Sequence, residues 1–282
     1  MKKNIIKTFL QGLAMGTVDI IPGISGGTLA LILNIYSKIL EQIKLINLDF
    51  LKKIIQLKIK DAFKPLDLKF IIPLILGISS ALISLARVIS WALSNYPGYL
   101  YSFFIGLILV SSILLFPRGK FKINGAITFL IGFILAFLIA KLQPIESSHT
   151  YFNIFISGAI AICAMILPGI SGSFILIILG KYDFMLSLLH NPLNNILPIL
   201  IFVLGCIIGL LSFSRVLNFL LKKYYQITLI TLIGFMLGSL KKIWPSQYLE
   251  GQEIFPALGF MITGIIIGFL INKGSRNKKT GN

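Results

Sequence analysis

Ile21-Pro22-Gly23-Ile24-Ser25-Gly26-Gly27 returns later in the chain as Leu167-Pro168-Gly169-Ile170-Ser171-Gly172-Ser173. Pro168 stands 146 residues after Pro22, and the same spacing carries Gly12 onto Gly158 and Tyr36 onto Tyr182. Further along, a spacing of 128 superposes Gly77 on Gly205, Arg87 on Arg215, Tyr96 on Tyr224, Gly106 on Gly234 and Pro117 on Pro245. Five uncommon residues in one register mark an internal duplication. The spacing changes across the basic stretch 41–69, which the second half lacks.

Around each copy the chain is strongly apolar. Of its 282 residues 56% are hydrophobic and 12% charged, and the mean hydropathy is +0.93. A soluble globule could not cover that much apolar side chain. Several stretches approach the length that crosses a hydrocarbon core of about 30 Å. We therefore expect one all-α integral membrane domain.

In each half a first apolar stretch (5–21, 152–167) enters the break and a second (28–40, 173–189) leaves it. Longer segments follow near 70–94, 99–116 and 124–141, and near 196–221, 225–240 and 254–272. The arms beside each break reach about 20–25 Å, short of the core thickness. Each repeat is therefore expected to be a re-entrant helical hairpin plus three transmembrane helices. Repeat one would cover 5–141, repeat two 152–272, and a cytoplasmic tail 273–282.

That unit crosses an odd number of times, so the second copy should enter from the opposite side, giving two inverted-topology repeats. The net charge of +17 agrees. With the amino terminus inside, the cytoplasmic gaps hold Lys2, Lys3, Lys7, the lysines of 41–69, the basic residues of 118–122, Lys222, Lys223 and those from Lys273 onward. The outside gaps hold Lys141, Lys241 and Lys242. This is the positive-inside pattern, with both termini cytoplasmic, and not a nucleic-acid-binding face. The linker 41–69 alternates lysine with isoleucine and leucine, as an interfacial helix on an anionic leaflet would. The start Met1-Lys2-Lys3 is not read as a signal peptide, because Gln11, Gly12, Thr17 and Asp19 interrupt its apolar run and the segment recurs later.

Proline and glycine in a membrane helix free backbone groups that lipid cannot satisfy, so such breaks survive only where buried or lining a polar cavity. Paired breaks at matching positions of two halves point to a transporter's substrate site. After each break a helix begins, whose N–H groups can hold an anion. The candidate binding residues are thus Pro22, Gly23, Ile24, Ser25, Gly26, Gly27 and Thr28, with Pro168, Gly169, Ser171, Gly172 and Ser173. The competing reading is that the breaks only allow tight packing and the serines cap their own helices. Arg87 and Arg215 are the basic residues well inside apolar segments; a guanidinium fork suits phosphate or carboxylate, although snorkelling to the interface would also explain them.

Asp19, opposite Met165 in the repeat, could neutralise an arginine, carry a coupling proton or cation, or cap the broken turn. Lys181 and Asp183 are expected at the outer mouth of the second hairpin, paired with each other or with water. His149 and His190 fall in outside loops. The GxxxG pairs (Gly12 with Gly16, Gly205 with Gly209, Gly234 with Gly238, Gly264 with Gly268) should let helices approach closely. Cys163 and Cys206 read as small buried residues. No Walker loop, His-Glu-x-x-His motif or cysteine–histidine cluster is present in the sequence, so no metal or organic cofactor is expected, and an enzyme is the weaker class.

The stretch Gly16-Thr17-Val18-Asp19-Ile20-Ile21-Pro22-Gly23-Ile24-Ser25-Gly26-Gly27-Thr28, supported by Leu167 to Ser173, resembles the PopT-type polyprenyl-phosphate translocase family, once filed as a domain of unknown function. The resemblance spans essentially the whole chain. It implies a multi-pass flippase of the bacterial cytoplasmic membrane that returns undecaprenyl phosphate to the inner leaflet, with the lipid as partner and a homodimer left open. The second copy departs from the first at Met165 and Ser173, so the two hairpins need not share one role. A carrier or channel for a small soluble anion is the alternative; a lipid-phosphate enzyme is a weaker one.

Overall fold

The computed structural model describes residues 2–21, 23–117, 123–145, 147–191, 193–245, 249 and 253–276. Pro22, the basic residues 118, 120 and 122, the side chain of His190 and residues 277–282 lie outside the described ones. Among the described residues the chain is all helix: α1 (Lys2–Asp19), α2 (Gly26–Ile32), α3 (Tyr36–Leu45), α4 (Leu48–Ile55), α5 (Ile59–Phe63), α6 (Leu68–Ser84), α7 (Ala86–Asn95), α8 (Pro97–Leu115), α9 (Ile123–Lys141), α10 (Tyr151–Ile166), α11 (Gly172–Ile178), α12 (Tyr182–His190), α13 (Ile196–Lys223), α14 (Tyr225–Ser239) and α15 (Ile254–Arg276). Four of these, α8, α9, α13 and α15, are long and apolar enough to cross a membrane, and the bent pair α6–α7 would make a fifth. The helix α15 runs to Arg276, into the stretch expected to be tail.

Four helix pairs carry the packing: α1 with α6, α10 with α13, α8 with α15 and α9 with α14. Lipid tails are as apolar as leucine, so helices in a membrane associate through close contact, and small residues set how close. At the first pair a Cβ on Gly12 would land on the Leu74 carbonyl oxygen, and one on Gly77 on that of Phe9. The second pair repeats this at the same register, with Gly158 against Phe202 O and Gly205 against Phe155 O. The other two pairs also match: Gly106 meets Met261 O and Gly264 meets Phe103 O, as Gly234 meets Phe129 O and Gly132 meets Thr231 O. The last two segments of each half, α8 and α9 and α14 and α15, therefore pack on those of the other half.

Three local features differ from the sequence reading. The stretch near 70–94 is not one helix but two, α6 and α7, meeting at 53°. The Ser84 hydroxyl turns back to the Ser80 carbonyl there, a bond that loosens and bends helices. The second arm of each hairpin is also divided, because α2 and α11 are only seven residues long. Asn34 and Gly180 take left-handed conformations (φ 58° and 62°). The Ile35 N–H reaches back to Ala30 O and the Lys181 N–H to Leu176 O, the Schellman closure that ends a helix.

The third difference is Lys181. It is buried and does not pair with Asp183; its Nζ donates to Ser147 O and Ser148 O, both at 2.8 Å, and lies 3.1 Å from His149 Nδ1. The connection after α9 folds back over the end of α11, the Ile145 N–H meeting Ile178 O and the Ser147 hydroxyl Leu179 O. Those bonds satisfy the last carbonyls of α11 and bring the acceptors to the lysine. His149 is exposed, as expected, and stacks on Phe184.

The basic linker forms α4 and α5, with Leu48, Ile55 and Leu57 each 82% exposed. It is tied back by Lys38–Asp67 (2.7 Å) and by the Asp67 N–H to Gln42 Oε1, while Lys222–Glu41 (3.0 Å) joins α3 to α13. Both cysteines are free and point their thiols at carbonyls across the α10–α13 pair.

Candidate functional site

The two broken strings fold alike. Gly23 and Gly169 have φ of 89° and 93°, a region that a Cβ disfavours. Ile24 N bonds to Ile21 O and Ile170 N to Leu167 O, both at 3.3 Å. Glycine is therefore required at the third place of each string by the turn itself.

The strings also meet. The Ser25 hydroxyl donates to Met165 O at 3.0 Å, and the Tyr36 hydroxyl to Ile166 O at 3.1 Å. Both acceptors belong to the last turn of α10, whose carbonyls have no partner within that helix. In return the Gly169 N–H donates to Thr28 Oγ1 at 2.8 Å. Gly27 lies so close that a Cβ would stand 2.7 Å from Ile166 O. Ser25, Ile24 and Thr28 are buried, as are Pro168, Gly169, Ser171 and Gly172. Each break thus supplies what the other lacks, which is how freed backbone groups survive away from water.

The helix starts beside the two breaks differ. At α2 the Gly26 N–H donates to Asp19 Oδ1 at 2.7 Å and the Gly27 N–H to Ser25 Oγ at 3.1 Å. Asp19 closes the broken turn, one of the roles open from the sequence, and its carboxyl occupies the start of α2. At α11 the equivalent of Asp19 is Met165, and Ser171 makes no side-chain cap bond. The Ser171 and Ser173 hydroxyls bond each other at 2.8 Å.

The end of α14 and the segment after it complete the site. A Cβ on Gly169 would lie 2.7 Å from both Phe235 O and the Ser239 hydroxyl, and one on Gly23 would lie 3.0 Å from Ile243 and from the stem of Lys242. The Lys242 ammonium sits 4.2 Å from the centre of the Phe174 ring, in the first turn of α11. Lys242 therefore lies against both breaks, with its stem beside Gly23 and its charge over Phe174. Sequence reading assigned it only to an outside gap. Its position among the few basic residues of the outside gaps was the available signal.

Arg87, in α7, and Arg215, in α13, are exposed and make no hydrogen bond or ion pair among the described residues. Arg215 stands eight residues, about 12 Å, from the end of a helix about 42 Å long. Since α13 exceeds the hydrocarbon core by about that surplus, this arginine can reach an interface. No group of three or more His, Cys, Asp or Glu side chains that could hold a metal occurs among the described residues.

A helical membrane domain whose two buried breaks meet beside a cation has the form of a transporter site. Over residues 15–255 the chain matches the model of the undecaprenyl phosphate translocase-like family, and it belongs to that family. It is 46% identical over 243 residues to a protein of Vibrio cholerae serotype O1 named polyprenyl-phosphate transporter, covering 86% of this chain and 78% of that one. It is 31% identical over 281 residues to a protein of the same name in Staphylococcus aureus, covering 94% and 95%. No solved structure matches the chain.

Proposed function

We propose that this chain is a flippase that moves undecaprenyl phosphate from the outer to the inner leaflet of the bacterial cytoplasmic membrane, for reuse in envelope synthesis. The phosphate passes the meeting point of the two breaks, while the prenyl tail stays in the bilayer. The two halves are inverted repeats, their broken pairs are re-entrant hairpins meeting tip to tip, and both termini are cytoplasmic. Family membership and the relatives' names support the substrate. The matched packing of the halves and the basic cytoplasmic gaps support the architecture.

The observation that carries the site is Lys242, whose stem lies on Gly23 and whose charge lies over Phe174. In this reading the two tips have different work. Tip one, Gly23 to Thr28, has its hydroxyls committed and forms a wall. Tip two offers Ser171 and Ser173, whose hydroxyls, among the described residues, hold only each other, so a phosphate can replace that bond with its own. Lys242 supplies the charge, and hydrogen bonds between charged partners are about twice as strong as neutral ones. Arg87 and Arg215, exposed on α7 and α13, act at the lateral mouths, where a headgroup enters or leaves the bilayer.

Moving a phosphate inward opposes an inside-negative potential by roughly 2.3 kcal/mol per charge per 100 mV. A proton or cation moving with it would offset this, and Asp19, at the tip, is the coupling group.

The test is transport of a short-chain polyprenyl phosphate in proteoliposomes, its outer-leaflet pool read by an impermeant probe. Protein-dependent depletion of that pool is expected. Uptake of inorganic phosphate without lipid movement would replace this reading with a soluble-anion carrier.

A further inference from the structure

Two adjoining hollows lie where the basic linker meets the first helix pair. One, of about 710 Å³, is lined by Lys60, Asp61, Phe63, Lys64 and Asp67 among others. The second, of about 500 Å³, is an apolar groove along α1 and α6, lined by Ile5, Ile6, Phe9, Ile72, Pro73 and Leu76. Leu68 and Lys69 line both, so the charged hollow adjoins the apolar one.

The charges in the first hollow do not cancel. Lys60, Lys64 and Lys69 are exposed and make no ion pair among the described residues. Asp67 is already committed: Lys38 binds its carboxylate and holds it below the usual carboxylate range, and the Phe70 N–H donates to it as well. That leaves three ammonium groups against Asp61. In the groove, Ile5, Ile6, Ile72, Leu76 and Leu68 are all more than a third exposed, an apolar strip that no described residue covers. From Leu68 to Leu76 it extends about 12 Å along the helix.

We propose that these two hollows form a second lipid site, in which Lys60, Lys64 and Lys69 hold a phosphate monoester and the α1–α6 groove takes the start of its chain. The occupant is the transported polyprenyl phosphate after its headgroup has reached the cytoplasmic side, so the inference rests on the function proposed above. A phosphate monoester carries about 1.5 to 2 negative charges at neutral pH, whereas the diester of an ordinary phospholipid carries one. Three lysines opposed by one acid suit the former, and one groove suits one chain. Because the lysines are exposed, added salt weakens this binding.

The full-length protein in nanodiscs, given a short-chain polyprenyl phosphate with a photoreactive group near its first prenyl units, tests this. Label is expected in the peptides holding Ile5 to Phe9 and Leu68 to Leu76. It should fall at least about tenfold in the combined variant Lys60→Gln, Lys64→Gln, Lys69→Gln, whose folding is checked by thermal unfolding. Absence of label from those peptides, or equal label in the variant, overturns the site. Equal competition by phosphatidylglycerol overturns the assignment to a monoester and leaves a general anionic-lipid surface. Transport of the same lipid is measured alongside. Labelling without transport would remove the proposed function and keep the site, whereas transport without labelling would remove the site alone.

Discussion

Replacing Thr28 by valine removes one acceptor while keeping the side chain's shape. Thr28 is fully buried, and its Oγ1 is 2.8 Å from the Gly169 N–H. With valine that N–H loses its partner in a place water does not reach. Leaving a buried donor unmet costs about 1–3 kcal/mol, while side-chain hydrogen bonds in membrane proteins average about 0.6 and reach about 1.7 kcal/mol. We expect a loss of about 1–2 kcal/mol. Serine is the control, since it keeps the hydroxyl and removes one methyl, a burial term of about 0.8 kcal/mol. The order is what matters. If the tips are joined by this bond, valine is worse than serine; if they only pack, serine is worse, because valine fills the space. Unfolding in mixed micelles can be followed through Trp91 and Trp244, the latter two residues from Lys242. Serine measured as the more damaging change would refute the account of how the two breaks support each other.

Other consequences concern the same framework. Asp19→Ala uncaps the Gly26 N–H and should cost about 0.5–2 kcal/mol, whereas Asp19→Asn keeps an acceptor and should unfold nearly as the parent does. If Asp19 is the coupling group, that asparagine variant loses the response of transport to imposed pH; normal transport at every pH and potential would dismiss the role. Gly12→Ala drives a Cβ into Leu74 O and should destabilise by about 1–3 kcal/mol. Gly259→Ala, with nothing within 4 Å, should be neutral or slightly stabilising by the same unfolding measurement. The pairing of Asp67 with Lys38 is fully present above the ordinary carboxylate value of 3.8 and is lost only as pH falls through the lowered one. The protection of the amides in the first turn of α6, taken relative to the intrinsic exchange rate at each pH, should therefore hold down to about pH 4 and fall below it.

Much of the framework was legible because it depends on spacing. The glycines at 12, 77, 158 and 205 fall in register in the sequence, and their helices meet at them. The breaks were legible because proline and glycine state their backbone demands locally. The turn ending α2 and α11 left a fainter signal: Asn34 and Gly180, two residue types that tolerate positive φ, stand at the spacing of 146. What escaped was contact between distant segments. Lys181 and Asp183 are two apart, a spacing that does not share a helix face, so their proximity in sequence misled. Lys242 reaches both tips only because the chain after α14 turns back over them, and nothing local encodes that. The arginines were matched by the repeat, and both are exposed, on α7 and α13, with no hydrogen bond or ion pair among the described residues.

The most direct test of the account is the rate at which reconstituted protein depletes outer-leaflet polyprenyl phosphate, compared among the parent, Lys242→Ala, Ser171→Ala with Ser173→Ala, and the linker control Lys53→Ala. Removing one hydrogen bond to a charged group costs about 1.5–3 kcal/mol, so the first two variants should slow transport at least about tenfold with folding intact, and the control should match the parent. Parental rates in Lys242→Ala and in the serine pair would contradict a phosphate path past the meeting tips.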